Sequence, residues 1–235
     1  MPSNGSRSSG AIDRAAGPAV AVSAVPAALA ALTGRRRTAL SLLALPAGVA
    51  AFFRDPDRTP DHRQVHSDLV LAPADGKVMY AGPGQDGVAP PGDWQQVSIF
   101  LSLFDVHINR TPYGGTVEDV SYRPGKWHAA YRFESATENE RSEIALVDTV
   151  AGEERRVVFR QIVGLVARRV VTRVQKGDVL RAGQRIGLMK FGSRMDVFVP
   201  SHVALATAVG DRTVAGETVI ARWPSTVAAR DASSS

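Results

Sequence analysis

Hydrophobic and polar positions follow one pattern near the start of this chain and another after it. Two almost uninterrupted apolar stretches, 16–33 and 38–53, are separated by Gly34 and the basic run from Arg35 to Arg37. Each stretch is shorter than the roughly 20 residues of a membrane span, and each contains proline, which interrupts helices. The pattern predicts a helical hairpin over residues 15–53 that associates with a membrane by dipping into one leaflet or by tilting.

Farther along the chain, short runs of β-branched and other apolar residues alternate with turns that contain glycine or proline. Runs of this length and spacing are typical of a mainly β fold, a sandwich or a barrel. Strands are expected at 69–72, 77–81, 95–101, 115–122, 142–149, 155–162, 170–174, 195–199 and 218–221. Residues 165–171 are compatible with either a helix or a strand.

The domain organisation follows from these two textures. The polar, proline-bearing segment 54–60 is interpreted as a linker, and 61–223 as one folded domain. The Ser- and Gly-rich residues 1–14 and the tail 224–235 are expected to be disordered. A secretory signal peptide is the competing interpretation of the N-terminus, but it leaves the second apolar stretch without a role.

Composition and charge narrow the possible functions. The chain has no cysteine, which excludes disulfides, thiolate zinc sites and cysteine nucleophiles. Residues 1–58 contain seven arginines and three aspartates, whereas the remainder has 21 basic and 20 acidic side chains. This split argues against a nucleic-acid groove and favours an N-terminus beside anionic lipid headgroups. The alternative for the run from Arg35 to Arg37 is a solvated turn.

Three short motifs contain residue types that chemistry requires: LAPADGKV at 71–78, FLSLFDVHINRTP at 100–112 and KFGSRMDV at 190–197. Each is weak alone, since a Gly-Ser pair or an aspartate before glycine is common in turns. Glycine before serine, however, leaves a carbonyl unshielded and permits a strained backbone. The hydroxyl of Ser193 can then attack the carbonyl of Gly192.

Together and in this order, the motifs resemble the short form of the phosphatidylserine decarboxylase family. Further matches are NER at 139–141, QIVGLVARR at 161–169, KGD at 176–178 and GQRIG at 183–187, so the resemblance covers about residues 51–223. It implies autocatalytic cleavage between Gly192 and Ser193 into a β chain, 1–192, and an α chain, 193–235. The serine becomes a covalent pyruvoyl group, which forms a Schiff base with phosphatidylserine and permits its decarboxylation to phosphatidylethanolamine.

The resemblance also suggests roles for individual residues. It assigns Asp75 to self-cleavage and makes His107 the candidate proton donor in decarboxylation. Long-form members carry a second histidine where this chain has Arg110, and a guanidinium cannot act as a base. The cleavage base therefore stays open among His107, His128 and Asp75. Arg110 is a candidate for binding the phosphate or carboxylate of the substrate, with an ion pair to a protein carboxylate as the alternative.

Partners and localisation follow from the same resemblance. We expect a phospholipid substrate, a membrane partner, no metal and no nucleic acid, with the cleaved α and β chains forming a heterodimer and any homo-oligomer left open. The expected location is the cytoplasmic face of the cell membrane, as a peripheral or monotopic protein. The remaining histidines, His62, His66 and His202, have no metal-site spacing and are expected to face solvent or to pack.

A different class of function is a biotinyl or lipoyl carrier module modified on Lys190. The residues before this lysine resemble the hairpin of such carriers, and the folded part of the decarboxylase family itself resembles a carrier fold. A third hypothesis is a membrane structural protein that is not processed. Electrophoresis separates these possibilities from a decarboxylase, because both alternatives keep one unbroken chain.

Overall fold

The computed structural model of the chain describes residues 12–13, 16–58, 68–165, 169–189 and 192–224. The chain divides into two compact units, residues 1–57 and 58–235. The ends predicted to be disordered lie largely outside the described residues. Residues 166–168, which belong to the segment 165–171 that was compatible with either a helix or a strand, also lie outside the described residues.

The N-terminal unit is helical and its helices are apolar. It contains α1 (Ala16–Leu32), α2 (Arg36–Leu42) and α3 (Ala44–Phe52). Gly34, with φ +74°, lies in the turn between α1 and α2. A single residue, Leu43, separates α2 from α3 and keeps a helical backbone. None of the described helices has both the length and the apolar character needed to cross a membrane.

The second unit is mainly β, as the sequence predicted. Its strands are β1 (Leu69–Leu71), β2 (Gly76–Pro83), β3 (Trp94–Leu101), β4 (Ile108–Arg110), β5 (Gly115–Arg123), β6 (Arg141–Val150), β7 (Glu153–Ile162), β8 (Val170–Thr172), β9 (Val179–Leu180), β10 (Arg185–Met189), β11 (Ser193–Pro200), β12 (Ala204–Leu205), β13 (Arg212–Thr213) and β14 (Val219–Arg222), with one short helix, α4 (Ser135–Glu138), between β5 and β6.

These strands form one large sheet and two small ones. The large sheet has the order β13-β2-β3-β11-β7-β6-β5-β9, and the small sheets have the orders β1-β14-β12 and β4-β10-β8. All the pairings are antiparallel. Every strand expected from the sequence is present, whereas β4, β9, β10, β12 and β13 were not predicted. They are only two to five residues long, too short for alternation to mark them clearly.

The two faces of β11 determine where Ser193 points. Met195, Val197 and Val199 belong to the main hydrophobic core, and Ser193 shares their face because side chains alternate along a strand. The opposite face carries Arg194, whose Nε donates a 2.6 Å hydrogen bond to Asp196. Ser193 therefore begins the central strand with its side chain on the core side, where it is fully buried.

Candidate active site

The Gly192–Ser193 junction combines a left-handed glycine with a buried serine hydroxyl. Gly192 adopts φ +63°, a left-handed conformation that favours glycine. The hydroxyl oxygen of Ser193 is buried and has no hydrogen-bond partner among the described residues. Most buried hydroxyls have a hydrogen-bond partner, so an unpartnered one marks a candidate nucleophile.

Asp75 lies in the turn before β2, where its carboxylate is firmly held. Both of its oxygens accept hydrogen bonds from the guanidinium of Arg58, the Oδ2 contact being 2.7 Å. The backbone N–H of Ala215 donates to Oδ1 at 2.8 Å, and Arg58 also donates to the Ala215 carbonyl at 3.1 Å. The side chains are mostly buried, with 9% of Arg58 and 14% of Asp75 exposed. Asp75 is thus fixed by a bidentate ion pair.

His107 is buried immediately before β4. Its Nδ1 lies 2.8 Å from the backbone carbonyl oxygen of Asp105. A carbonyl can only accept, so in the neutral imidazole Nδ1 carries the proton and Nε2 carries the lone pair. The carbonyl of His107 accepts a 3.2 Å hydrogen bond from the N–H of Met189, which brings this segment beside the chain that leads to Ser193.

Arg110 ends β4 and is nearly completely buried. Its guanidinium donates to the carbonyl of Gly183 at 3.0 Å, and its backbone N–H donates to the carbonyl of Pro73 at 2.9 Å. The second bond connects β4 to the turn that carries Asp75. The sequence hypothesis that Arg110 binds substrate stays a prediction.

Asn109 and Gln161 belong to a buried network of hydrogen bonds between side chains. Both residues lie in the sequence motifs, but the motifs did not show that the two side chains meet. Gln161 Nε2 donates to Asn109 Oδ1 at 2.8 Å, and the Thr172 hydroxyl donates to Gln161 Oε1 at the same distance. Asn109 Nδ2 is buried without an acceptor among the described residues. This network joins β4, β7 and β8 on the face of the sheet that also carries the Ser193 side chain.

Sheet register brings the motifs to one end of the central strands. Ser193 pairs with Leu101 at the end of β3, and Lys77, two residues after Asp75, pairs with Phe100 on the other edge of β3. The backbones of β2 and β11 are therefore two strand spacings apart, about 10 Å. The motifs at 71–78 and 100–112 and the described part of the third motif, 192–197, meet around this end of the sheet, although the first and third are more than a hundred positions apart.

The other histidines have different surroundings. His128 Nε2 lies 3.0 Å from Glu138 Oε2 on the surface. Hydrogen bonds from Lys126 and then from His128 lower the pKa of Glu138 below its usual value. His202 follows the far end of β11 and packs against Trp223, with ring centroids 5.5 Å apart; it is not brought near Ser193. His62, His66 and Lys190 lie outside the described residues.

Sequence reasoning missed Arg58 as a site residue. It was interpreted as part of the polar linker and of the basic N-terminus, yet its side chain anchors Asp75. No local pattern could reveal this, because the two residues are 17 positions apart and one arginine among many carries no distinctive signal.

Comparisons with known proteins agree with the resemblance. A family profile described as phosphatidylserine decarboxylase matches residues 45–221. The chain is similar to a protein of Solibacter usitatus, 44% identical over 171 residues that cover 73% of this chain and 76% of that protein. A protein of Erythrobacter litoralis is 44% identical over 78% of this chain and 75% of its own length, and one of Salinibacter ruber is 40% identical over 79% and 80%. Each is named phosphatidylserine decarboxylase proenzyme.

Proposed function

The chain belongs to the phosphatidylserine decarboxylase family, and from this premise we propose that it cuts itself between Gly192 and Ser193 and then converts phosphatidylserine to phosphatidylethanolamine. The observation that carries the proposal is the Ser193 hydroxyl. It is buried, has no hydrogen-bond partner among the described residues, and follows a glycine in a left-handed conformation. The word proenzyme in the relatives' names is consistent with a chain that must be processed.

The cleavage balances without an external oxidant or reductant. Ser193 Oγ attacks the Gly192 carbonyl carbon, the peptide C–N bond breaks, and the proton from the hydroxyl ends on the released nitrogen, leaving an ester. Loss of the Ser193 α-proton then expels the Gly192 carboxylate and leaves a dehydroalanine. Water hydrolyses its imine tautomer and ammonia departs. The products are a β chain ending at Gly192 and an α chain that begins with a pyruvoyl group.

The residues at this position suit such a group. It would take the place of Ser193 at the start of β11, against the main core, and Gly192 beside it is partly exposed. When present, the pyruvoyl ketone supplies an electron sink for the loss of carbon dioxide from an amine-linked substrate. Burial around Ser193 limits access of water, which favours proton transfer from a protein side chain over transfer from solvent.

His107 is the best-supported group for moving protons. With Nδ1 donating to the Asp105 carbonyl, its Nε2 holds the lone pair in a buried setting. We assign to Nε2 the proton that replaces carbon dioxide on the α-carbon of the substrate. Nε2 first takes this proton from the ammonium group of the substrate, which must lose it before its nitrogen can react with the ketone. The same nitrogen is our choice for the cleavage base, since both oxygens of Asp75 accept bonds from Arg58 and His128 interacts with Glu138.

Asp75 then has an electrostatic part in self-cleavage. Its carboxylate is held in a bidentate pair, so its charge and position are fixed before the reaction begins. A preorganised charge needs no rearrangement during the reaction. In our proposal it favours a transient positive charge on the cleavage base, and Arg58 keeps it in place.

Membrane association is part of the same proposal. Large apolar side chains of the N-terminal helices are more than half exposed, including Val22 at 72% and Leu32 at 83%. In the second unit, Phe104 is 86% exposed and Tyr131 64%, on loops that flank the segment containing Ser193. Apolar surface of this kind is stabilised in the headgroup region of a bilayer. We propose a peripheral or monotopic protein at the cytoplasmic face of the cell membrane.

The alternative function is a carrier module modified on Lys190. It is disfavoured because the family profile that includes position 190 describes phosphatidylserine decarboxylase, and so does the name of the similar protein. We therefore keep the likeness to biotinyl and lipoyl carriers, and the sandwich or barrel description, as a proposal about architecture. The paired α and β chains are the expected functional heterodimer, and a homo-oligomer stays a prediction.

The test uses the purified full chain. Ser193→Ala should run as one uncut band on denaturing electrophoresis and release no carbon dioxide from phosphatidylserine vesicles. Ser201→Ala, at the opposite end of β11, is the matched control and should give two chains and normal turnover. A cut Ser193→Ala chain would refute the assignment of the nucleophile.

A further inference from the structure

Gly164 lies directly against the bond that is proposed to break. A Cβ built on Gly164 would be 1.9 Å from the carbonyl oxygen of Gly192 and 3.0 Å from its carbonyl carbon. Its φ is outside the left-handed region, so the backbone conformation does not demand glycine. Space alone demands it, because the scissile carbonyl occupies the volume that a side chain would fill.

The contact is rigid on the Gly164 side. The preceding residue, Val163, donates its N–H to the Glu140 carbonyl at 3.1 Å, and its carbonyl accepts a 2.8 Å bond from the buried side chain of Asn139. Register adds a further restraint, since Ile162 pairs with Arg194 next to the junction. The segment that ends at Gly164 is therefore fixed to the same strands that carry Ser193.

Gly192 has space beside its α-carbon, since among the described residues a Cβ built there would meet nothing within 4 Å. Its carbonyl oxygen, in contrast, lies directly against Gly164. The contact with Gly164 therefore constrains the orientation of the scissile carbonyl. If that neighbour carried a side chain, the carbonyl would have to turn or shift.

We propose that Gly164 is a positioning residue for self-cleavage, which holds the Gly192 carbonyl at the orientation needed for attack by Ser193 Oγ. This inference rests on the proposed cleavage and adds to it the residue that orients the carbonyl under attack. In the attack, the Oγ–C bond forms, the C–N bond breaks and the hydroxyl proton ends on the released nitrogen. The α-hydrogen of Gly164 faces the oxygen on which negative charge develops, a weak favourable contact.

The expected size of the effect follows from the overlap. An alanine Cβ at 1.9 Å from the oxygen must move to more than 3.0 Å, since real Cβ atoms essentially never approach more closely. The carbonyl is therefore displaced by about 1 Å, and a displacement of about 1 Å at a reacting group lowers a rate by roughly a hundredfold. Decarboxylation comes after the bond is cut and does not use this carbonyl.

The experiment follows processing of Gly164→Ala in the full chain by intact mass and denaturing electrophoresis. We expect cleavage to slow by about two orders of magnitude, while decarboxylation per mole of cleaved chain stays within about threefold of wild type. Hydroxylamine, which cleaves esters, should not accelerate the cut, because the attack that forms the ester is the step affected. Gly84→Ala is the matched control, because φ of Gly84 is also outside the left-handed region and its Cβ would meet the Ala89 Cβ at 2.8 Å and the Trp94 carbonyl oxygen at 3.2 Å. Trp94 pairs with Pro200 at the far end of β11, so this variant should be processed at the wild-type rate.

Separate outcomes address the two proposals. Normal processing of folded Gly164→Ala would overturn the positioning role, and so would rapid release by hydroxylamine, which would place the defect after ester formation. Cleavage of Ser193→Ala would instead overturn the proposed function. If Gly164→Ala does not fold, Gly164→Ala combined with Ala130→Gly removes the other neighbour, at 3.2 Å, and should fold but remain uncut. Failure of both variants to fold, while Gly84→Ala folds, would show a purely structural role and overturn the proposal.

Discussion

Removal of the Arg58 side chain provides the strongest test of how Asp75 is held. In Arg58→Ala, the Asp75 carboxylate would lose both guanidinium bonds, and of its bonds to described residues it would keep that from the N–H of Ala215. Breaking a buried ion pair by deleting one partner costs about 3 to 5 kcal/mol. Of the Arg58 side chain 9% is exposed, and of the Asp75 side chain 14%. Because the pair is not completely buried, we expect a loss at the lower end of this range, about 3 kcal/mol of unfolding free energy.

The measurement is urea unfolding in the Ser193→Ala background, because every variant is then compared as one uncut polypeptide. Arg58→Lys is the matched variant. It keeps the charge but cannot form two parallel bonds, so it should lose about half as much stability. A cycle that adds Asp75→Asn should give a coupling of at least about 1.5 kcal/mol, within the range for residues in direct contact.

Processing is the second measurement, made with Ser193 present. If the fixed charge of Asp75 assists cleavage, both Arg58 variants should be cut more slowly than wild type, and the alanine variant more slowly than the lysine variant. An unfolding free energy within about 0.5 kcal/mol of the parent, the usual range of neutral surface changes, together with normal cleavage, would refute this reasoning.

Three further predictions concern other residues. His107→Gln should slow self-cleavage and should also lower decarboxylation per cleaved chain at least about tenfold; unchanged rates of both would remove His107 from the mechanism. Asn139→Ala should destabilise the chain by about 3 kcal/mol, because the Asn139 side chain makes three hydrogen bonds of 2.8 Å and its removal leaves their backbone partners unsatisfied. An unchanged urea midpoint would contradict this prediction. The pKa of Glu138 is lowered in the folded state, so its pairing stabilises the protein above the unfolded pKa and this is lost as pH falls through the folded value. Lys126→Met should therefore lower the urea midpoint at pH 7 but not at pH 2, and equal losses at both would contradict the pairing.

The sequence predicted the features that are local. Alternation of apolar residues in 195–199 indicated a strand, and β11 extends it to Ser193 and Pro200. The two apolar stretches indicated helices, although α2 and α3 are separated at Leu43. Alternation and apolar runs are properties of neighbouring residues, so a single sequence is sufficient to reveal them.

The contacts that shape the site are not local, and the sequence could not reveal them. Gly164 touches Gly192 across 28 positions because β7 and β11 are neighbours in the sheet. Strand order depends on which hydrophobic faces pack together, a property of the whole chain. The pairing of Arg58 with Asp75 is hidden for the same reason, and so is the meeting of Asn109 with Gln161, although the motifs contained both.

The central claim is that the backbone opens at one bond and leaves a ketone. Intact mass analysis of the purified wild-type protein, with and without a carbonyl-reactive hydrazide, tests it most directly. We predict two polypeptides, 1–192 and 193–235, with the smaller lighter by one ammonia than a serine terminus would make it and able to take up one hydrazide. A single unmodified chain that decarboxylates phosphatidylserine, or a smaller chain beginning with an ordinary serine, would contradict the account.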